Sequence, residues 1–260
     1  MDTAAFSAAS FDAELATASV GRFLVYREVV DSTMAVARRE ADDGAPHGTL
    51  VLAEEQTAGR GRRERGFFSP PAENLYFTLV LRLPLDAHRR LPVLVPVAVC
   101  DAIRDEGVDA RIKWPNDVWI GELKVCGMLI DAELRADGAL AMPGIGINVN
   151  GDPAANPELA GIATSIARAG GHAVGREALL ARVCSNLERW LAASPEALLK
   201  RYRELSLVLG RSVTVHPAGG EPWEGSAEDL DHEGGLLVRR TDGALETVLA
   251  ADVSVRPVAQ

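Results

Sequence analysis

The chain has 260 residues, of which 47% are hydrophobic, and its formal net charge is -10 at pH 7. This length and apolar content allow one large domain with a buried core and a smaller second one. The acidic balance argues against non-specific binding to nucleic acid or to a membrane surface, because most of the surface would repel a polyanion.

Cysteine spacing and the N-terminus indicate the compartment. Cys100, Cys126 and Cys184 are odd in number and never spaced as Cys-x-x-Cys, so we expect buried, reduced thiols and no disulfide. The N-terminus lacks the basic and apolar regions of an export signal, and no stretch reaches the ~18 apolar residues of a membrane span. We therefore expect a cytoplasmic protein.

The first predicted elements lie before residue 44. Residues 1–20 are rich in Ala, Ser and Thr and are expected to be partly frayed, although a short helix could begin behind Ser10. A strand is predicted over 23–27, followed by a helix that begins at Asp31-Ser32-Thr33 and ends at Gly44. The side-chain oxygens at this helix start cap the helix, bind a polar ligand, or do both.

Residues 56–68, called the arginine loop below, carry four arginines between Arg60 and Arg65. Strands predicted over 49–53 and 75–81 hold both ends of the loop. Its glycines let backbone N–H groups approach a ligand, and arginine supplies permanent charge and paired donors for phosphate or carboxylate. A basic run is more often a solvated loop. Because this one joins two core strands, we expect an anion-binding lid.

The other elements predicted for the larger domain are helices over 91–106, 175–193 and 195–207 and strands over 111–120, 123–130 and 139–150. Two of these strands carry lysines, Lys113 and Lys124. A strand lysine ordinarily faces solvent. Pro115 and Gly127 lie beside the two lysines and allow a bend and a close backbone approach, which favours an anionic ligand instead.

The last of these strands carries two glycines on one face. Gly144 and Gly146 leave that face without side chains, so it could accept a flat ring, and Asn148 continues the same face with an amide. No third glycine and no predicted helix follow directly, which argues against a nicotinamide-binding fold.

Short strands and turn signals replace the helices after residue 208. Some fifty residues of this kind predict a small SH3-like β-barrel. We therefore divide the chain into a larger domain, 1–208, and a C-terminal domain, 209–260.

Several familiar chemistries are excluded by missing motifs. The sequence has no Gly-x-x-x-x-Gly-Lys-Ser/Thr loop, no Gly-x-Ser-x-Gly elbow and no His-Glu-x-x-His helix, and its five histidines lack ligand spacing, so no protein-bound metal cluster is expected. The features that remain as a candidate site are positively charged side chains, glycines and side-chain amides. That set suits the attack of a carboxylate on ATP, in which two anions must be held together without a protein nucleophile.

Five blocks, in this order and at these separations, resemble those of the biotin protein ligases: Glu55-Gln-Thr-Ala-Gly-Arg-Gly-Arg-Arg-Glu-Arg65, Asn74-Leu-Tyr76, Lys113-Trp-Pro-Asn-Asp117, Lys124-Val-Cys-Gly-Met-Leu-Ile130 and Gly144-Ile-Gly-Ile-Asn148. The resemblance implies an α+β fold: a mixed-sheet catalytic domain distantly related to class II aminoacyl-tRNA synthetases, followed by the small barrel. It also implies that ATP activates biotin to biotinyl-5'-AMP, with Mg²⁺ accompanying the nucleotide. The biotinyl group then passes to a lysine of a biotin carboxyl carrier protein domain, in acetyl-CoA carboxylase or a related carboxylase.

The resemblance also assigns roles to individual residues. Lys124 and Arg62 would act on the carboxylate and the phosphate, and Asp117 is our candidate for orienting the acceptor amine or the metal. The residues expected to bind biotin are Ser32, Thr33, Gln56, Arg60, Gly61, Arg62, Lys124, Gly127 and Gly144. Those expected to bind the nucleotide are Arg62, Lys113, Asn116 and Asn148.

Two positions depart from the family pattern. Met34 stands where the family usually has asparagine, and Glu64 stands where it has glycine, which affects biotin affinity and loop dynamics rather than the reaction. Only about thirty residues precede Ser32, too few for a winged helix-turn-helix, so we expect a ligase without repressor activity, either a monomer or a weak homodimer.

Two rival functions remain open. The first is a lipoate- or octanoate-transferring enzyme of the same fold. The second is a ligand-responsive nucleic-acid-binding module that uses the arginine loop, which the acidic surface disfavours.

Overall fold

The computed structural model describes residues 5–59, 61, 68–136, 138–217, 220–249 and 253–257. In the larger part of the chain the helices are α1 Ala8–Glu14, α2 Thr33–Asp42, α3 Leu85–Arg89, α4 Leu91–Arg104, α5 Ile166–Gly170, α6 Arg176–Ala192 and α7 Pro195–Leu205. The strands there are β1 Leu24–Val30, β2 Thr49–Gln56, β3 Leu75–Leu83, β4 Ala110–Lys113, β5 Asp117–Ile120, β6 Leu123–Arg135 and β7 Gly138–Ile147. The C-terminal strands are β8 Ser212–Pro217, β9 Trp223–Leu230, β10 Leu236–Arg240, β11 Leu245–Val248 and β12 Val253–Pro257.

The strands form two separate sheets. The larger sheet has seven strands in the order β1-β2-β3-β7-β6-β5-β4, in which β1 and β2 are parallel and every other neighbouring pair is antiparallel. The smaller sheet has five antiparallel strands in the order β11-β10-β9-β8-β12. The predicted α+β class, a mixed sheet followed by a small β unit, is confirmed.

Helices cover the two faces of the larger sheet unequally. The main core lies on one face, where strand residues such as Leu52 and Phe77 pack with α1, α4, α6 and α7. On the other face α2 covers a smaller apolar cluster that includes Val51, Val80 and Met142. The N-terminus of α2 therefore points along a sheet face that the large core does not use.

The N-terminal segment differs from the expected frayed tail. From Phe6 onward it packs on the protein: the Ser7 side chain caps α1 by accepting from the Ser10 N–H, and Phe6 and Phe11 are buried in the main core. Their burial supplies the free energy that a segment rich in small polar residues lacks on its own.

The strand predicted over 111–120 is interrupted. Trp114, Pro115 and Asn116 form a turn, with a cis peptide bond between Trp114 and Pro115, and β4 and β5 pair antiparallel on either side of it. A single strand was the wrong prediction because Pro115 has no N–H to donate to a neighbouring strand. β6 also runs further than predicted, to Arg135.

Candidate functional site

A row of directly paired residues crosses the centre of the larger sheet. Tyr76 of β3 pairs with Gly146 of β7, Gly146 with Gly127 of β6, Gly127 with Asp117 of β5, and Asp117 with Lys113 of β4. Because paired residues project to the same face, two adjacent positions in the middle of the row carry no side chain. We call this row the glycine floor: Gly146 and Gly127 form its middle, Tyr76 lies at one end, and Asp117 and Lys113 lie at the other.

The start of α2 lies against the same face. Ser32 occupies the N-cap position, yet its side chain makes no capping hydrogen bond. Instead Oε1 of Gln56 accepts from the Thr33 N–H at 2.9 Å and from the Thr33 hydroxyl at 3.1 Å, and Thr78 Oγ1 donates to Thr33 Oγ1 at 2.9 Å. The Ser32 side chain therefore does not cap the helix, and Gln56 accepts from the first N–H of the helix from outside it. The Ser32 hydroxyl is left for another partner although the residue is 5% exposed.

Gly144 makes room for a neighbouring side chain. A Cβ atom placed on Gly144 would lie 2.8 Å from Cγ and 2.9 Å from Sδ of Met34, which are closer than van der Waals contact allows. The sequence predicted that Gly144 clears space for a ligand. In the structure the missing side chain first accommodates Met34, so these two residues form one wall.

Lys124 and Asp117 form an ion pair on this face. Nζ of Lys124 lies 2.7 Å from Oδ1 of Asp117, with the two side chains 34% and 24% exposed. The backbone of Lys124 is held by hydrogen bonds with Ile162 and Thr164, and the register between β5 and β6 shifts between Val118 and Trp119. The structure thus joins two residues that the sequence analysis assigned to separate roles.

Lys113 directly precedes the turn between β4 and β5, and Asn116 is the last residue of that turn. Nζ of Lys113 lies 3.6 Å from the ring centroid of Trp119, a cation–π contact on the same face as Asp117. Asn116 is fixed to β6: its Nδ2 donates to the Met128 carbonyl, and the Met128 N–H donates to the Asn116 carbonyl at 3.0 Å. Both residues are thereby brought to the Lys124 end of the floor.

Asn148 follows β7 and is held from two sides. Its backbone N–H donates to the Val125 carbonyl at 2.9 Å, and its Nδ2 donates to the Thr164 carbonyl at 3.0 Å. Thr164 also hydrogen-bonds the Lys124 carbonyl. The amide therefore belongs to the same cluster as Lys124.

The arginine loop begins and ends beside the hydrogen-bonded group of Thr33, Gln56 and Thr78. At its start the N–H groups of Thr57 and Ala58 donate to the carbonyls of Val30 and Asp31, both at 2.9 Å. At its end Gln56 Nε2 donates to Ser69 Oγ at 3.1 Å. Both ends are anchored next to Ser32.

Several predictions for the arginine loop concern residues for which no structure is described. Arg60, Arg62 and Glu64 lie outside the described residues, whereas Gly61 is half-buried. Phe68 is 45% exposed, whereas Ser69 is buried and accepts the hydrogen bond from Gln56 Nε2.

Asn74, for which no role was predicted from the sequence, holds the Tyr76 end of the glycine floor. Its Oδ1 accepts from the N–H groups of Val149 and Gly151, at 2.9 and 3.3 Å, and its Nδ2 donates to the Tyr76 hydroxyl at 2.9 Å. Tyr76 in turn donates to the Pro70 carbonyl at 3.1 Å. An asparagine directly before a mostly apolar, buried strand is the signal that points to such a role, because a buried amide needs partners.

Asn74 is connected to a buried ion pair. The Arg176 guanidinium donates to Glu54 at 2.6 Å and to the Asn74 carbonyl at 3.1 Å, and both charged side chains are less than a tenth exposed. Burial would raise the pKa of Glu54, but hydrogen bonds from Arg176 and from the Phe6 N–H hold it below its usual range. Burial and a hydrogen bond to Glu54 raise the pKa of Tyr26 to about 12. Glu54 is therefore ionised and Tyr26 neutral at pH 7, and the hydrogen bonds of Arg176 join Glu54 to the segment that carries Asn74.

The cysteines and the potential metal ligands provide no further reactive group within the described residues. All three cysteines are free and buried, as predicted, and burial raises the pKa of Cys100 and of Cys184 to about 12, so neither thiol is reactive at neutral pH. Within the described residues no group of three or more His, Cys, Asp or Glu side chains could hold a metal ion. A search of the same residues finds no helix whose length and apolar character would let it cross a bilayer.

Comparison with known proteins agrees with this geometry. Residues 26–150 match the Biotin/lipoate A/B protein ligase family, and residues 208–256 match the Biotin protein ligase C terminal domain. The bifunctional ligase/repressor BirA of Bacillus subtilis is 32% identical over 250 residues, covering 93% of this chain and 76% of the relative. A biotin–[acetyl-CoA-carboxylase] ligase of Paracoccus denitrificans is 34% identical over 235 residues, covering 86% of this chain and 96% of the relative.

A solved structure supports the same assignment. The biotin protein ligase from Aquifex aeolicus, in complex with biotin and ATP, is 29% identical and superposes with a TM-score of 0.77, covering 91% of this chain and 100% of that one. Family, relatives and fold agree, and the chain belongs to the biotin protein ligase family.

Proposed function

We propose that this chain activates biotin with ATP to biotinyl-5'-AMP and transfers the biotinyl group to a lysine of a biotin carboxyl carrier protein domain. The observation that carries the proposal is the glycine floor, which has a neutral polar cluster at the α2 start and lysines at the other end. Such a site suits a ligand with a polar ring at one end and a carboxylate at the other.

The ring of biotin is assigned to the α2 end. A ureido group has two N–H donors and one carbonyl acceptor, and Ser32, Thr33 and Gln56 offer hydroxyl and amide groups of both kinds. Met34 and Gly144 supply the apolar wall beside them. We assign Gly127 to the floor under the ligand and Arg60, Gly61 and Arg62 to the segment that folds over it.

The carboxylate of biotin and the α-phosphate of ATP are assigned to the lysine end. Two anions repel each other at close range, and Lys124 offsets that repulsion. Arg62 is assigned to the phosphate, Lys113 and Asn116 to the nucleotide, and Asn148 to the adenine.

The chemistry then has two balanced steps. A biotin carboxylate oxygen attacks the α-phosphorus of ATP, a bond to that oxygen forms, and the bond to pyrophosphate breaks. In the second step the acceptor lysine's neutral amine attacks the acyl carbon, an amide forms, and AMP and a proton leave. We assign to the arginine loop the exclusion of water, which would otherwise hydrolyse the mixed anhydride between the steps.

Mg²⁺ fits this site as a companion of the nucleotide. It is commonly held by one or two carboxylates together with substrate phosphates, and Asp117 is the carboxylate we assign to it. When bound, the ion would neutralise charge on the departing pyrophosphate.

The compartment, the domain bounds, the source of the acceptor and the oligomeric state are also proposals. The free thiols favour a reducing compartment, so we propose that the enzyme works in the cytoplasm. We propose a catalytic domain over 1–208 and a C-terminal domain over 209–260, a carboxylase as the source of the acceptor domain, and a monomer or weak homodimer.

Competing acyl substrates test the proposal. The chain is incubated with ATP, Mg²⁺, a carrier domain and either labelled biotin or labelled lipoate. We expect label on the carrier lysine with biotin and none without ATP. Lipoyl transfer without biotinyl transfer would reject the assignment, and so would retention of duplex DNA at physiological salt without any transfer.

A further inference from the structure

Trp114 connects the proposed nucleotide side of the site to the C-terminal sheet. Its indole ring is 2% exposed and belongs to the main core, while its Nε1 donates to the Gly234 carbonyl at 2.9 Å. Gly234 lies in the connection between β9 and β10. A residue of the Lys113–Asp117 turn is therefore hydrogen-bonded to the smaller sheet.

The connection that receives this hydrogen bond is firmly built. Oδ1 of Asp231 accepts from the N–H groups of Glu233 and Gly235, at 2.9 and 2.8 Å, and the Gly234 N–H donates to the Asp231 carbonyl at 3.2 Å. Gly234 has a φ angle of +90°, and a Cβ atom there would lie 2.9 Å from Cγ2 of Val93 on α4. Local hydrogen bonds and contact with α4 thus fix the direction of the Gly234 carbonyl.

The turn that contains Trp114, the donor of this hydrogen bond, also carries the residues that we propose bind the nucleotide. Lys113 directly precedes Trp114, and Asn116 follows two positions later and is fixed to Met128 of β6. The hydrogen bonds between Asn116 and Met128 of β6 hold one side of the turn. The indole N–H holds the other side, where the larger sheet ends.

We propose that Trp114 is a positioning residue through which the C-terminal sheet holds Lys113 and Asn116 toward the nucleotide. This inference rests on the proposed function, since it needs ATP to bind at that end of the floor. The smaller sheet then contributes to ATP binding without touching biotin.

The variant Trp114→Phe tests the inference because it removes the N–H donor and keeps an aromatic ring in the core. Biotin-dependent exchange of pyrophosphate into ATP measures the first step, and calorimetry without ATP measures biotin affinity. We expect KM for ATP to rise about fivefold or more, with biotin affinity changed less than about twofold. Gly234→Ala displaces the carbonyl from the other side and is expected to raise the same KM. The double variant should be no worse than the more affected single one, because both changes break one contact.

Arg203→Gln is the matched control. It breaks a different contact between the two parts of the chain, the 2.7 Å ion pair with Asp229, and is expected to leave KM for ATP unchanged. An equal rise in Arg203→Gln would overturn the inference, as would an unchanged KM in folded Trp114→Phe or an equal loss of biotin affinity. Should Trp114→Phe fail to fold, Gly234→Ala, in which the indole is intact, decides alone. Absence of biotin-dependent exchange in the unaltered chain would instead reject the proposed function.

Discussion

Nζ of Lys124 lies 2.7 Å from Oδ1 of Asp117 on the face that carries Gly127 and Gly146. The contact holds the ammonium group beside a floor without side chains, where an incoming carboxylate can share it. Because both side chains are partly exposed, the pair itself contributes little to stability, about 0–1 kcal/mol. If the pair serves the proposed reaction rather than the fold, its loss should affect activity and leave stability nearly unchanged.

Replacement of Lys124 by alanine is therefore expected to separate activity from folding. We expect biotinyl-5'-AMP formation to fall about a hundredfold or more, because a preorganised charge at the reacting groups is lost. Thermal unfolding should stay close to that of the unaltered chain. Both are measured on one preparation, by pyrophosphate exchange and by circular dichroism.

Arg38→Ala is the matched control for this loss. Arg38 is about as exposed as Lys124 and forms ion pairs with Asp131 and Glu133, which lie further along β6 than Gly127 and opposite Met142 and Leu140. Its removal should leave exchange activity intact. Near-normal activity of Lys124→Ala would remove that lysine from the mechanism.

Gly144 and Met34 provide a second test, directed at the ring of biotin. Gly144→Ala would push the flexible Met34 side chain from its place, since the new Cβ atom lies 2.8 Å from Met34 Cγ. We expect KM for biotin to rise about tenfold, a cost of about 1.4 kcal/mol, with KM for ATP unchanged. The double variant Met34→Ala/Gly144→Ala should recover most of the loss, because the smaller residue removes the conflict.

Gly175→Ala controls for the glycine change itself. A Cβ atom at Gly175 meets nothing closer than the Ala178 Cβ at 4.0 Å. Its KM for biotin should not change. If the double variant were no better than Gly144→Ala alone, the crowding explanation would fail.

The buried pair of Glu54 and Arg176 supports a prediction about stability. Glu54→Gln would leave the Arg176 guanidinium buried without its charged partner, so we expect the free energy of unfolding to fall by about 3–5 kcal/mol. Urea denaturation measures it. Glu246→Gln, which breaks the exposed pair with Arg240, is the control and should change the midpoint little. Equal midpoints for the two variants would contradict the role given to the buried pair.

Short-range patterns in the sequence predicted much of this site. Strand alternation placed Gly144 and Gly146 on one face, and oxygen-bearing residues at a predicted helix start drew attention to Ser32 and Thr33. These predictions depend only on neighbours in the chain, and the structure brings those residues to one sheet face.

Contacts between distant segments could not be predicted in the same way. Glu54 and Arg176 are 122 positions apart, and the residues around each of them do not indicate that the two will form a pair. The contact of Lys124 with Asp117 depends on a register shift between β5 and β6, which hydrophobic periodicity does not encode. The role of Gln56 as the acceptor for the α2 start was missed for the same reason.

Glu188 gives the last prediction, which concerns pH. Its carboxylate accepts from the N–H groups of Ala18, Ser19 and Val20, and although burial opposes the shift, these hydrogen bonds lower its pKa from 4.5 to about 2. A group whose pKa is lower in the folded state stabilises the fold above its unfolded pKa. That stabilisation is lost as the pH falls from about 4.5 through about 2. Glu188→Gln should therefore lower stability at pH 7, and its deficit relative to the unaltered chain should shrink between pH 5 and pH 3. Urea denaturation at several pH values measures the deficit, and a constant difference across that range would show that the carboxylate's charge does not anchor the N-terminal segment.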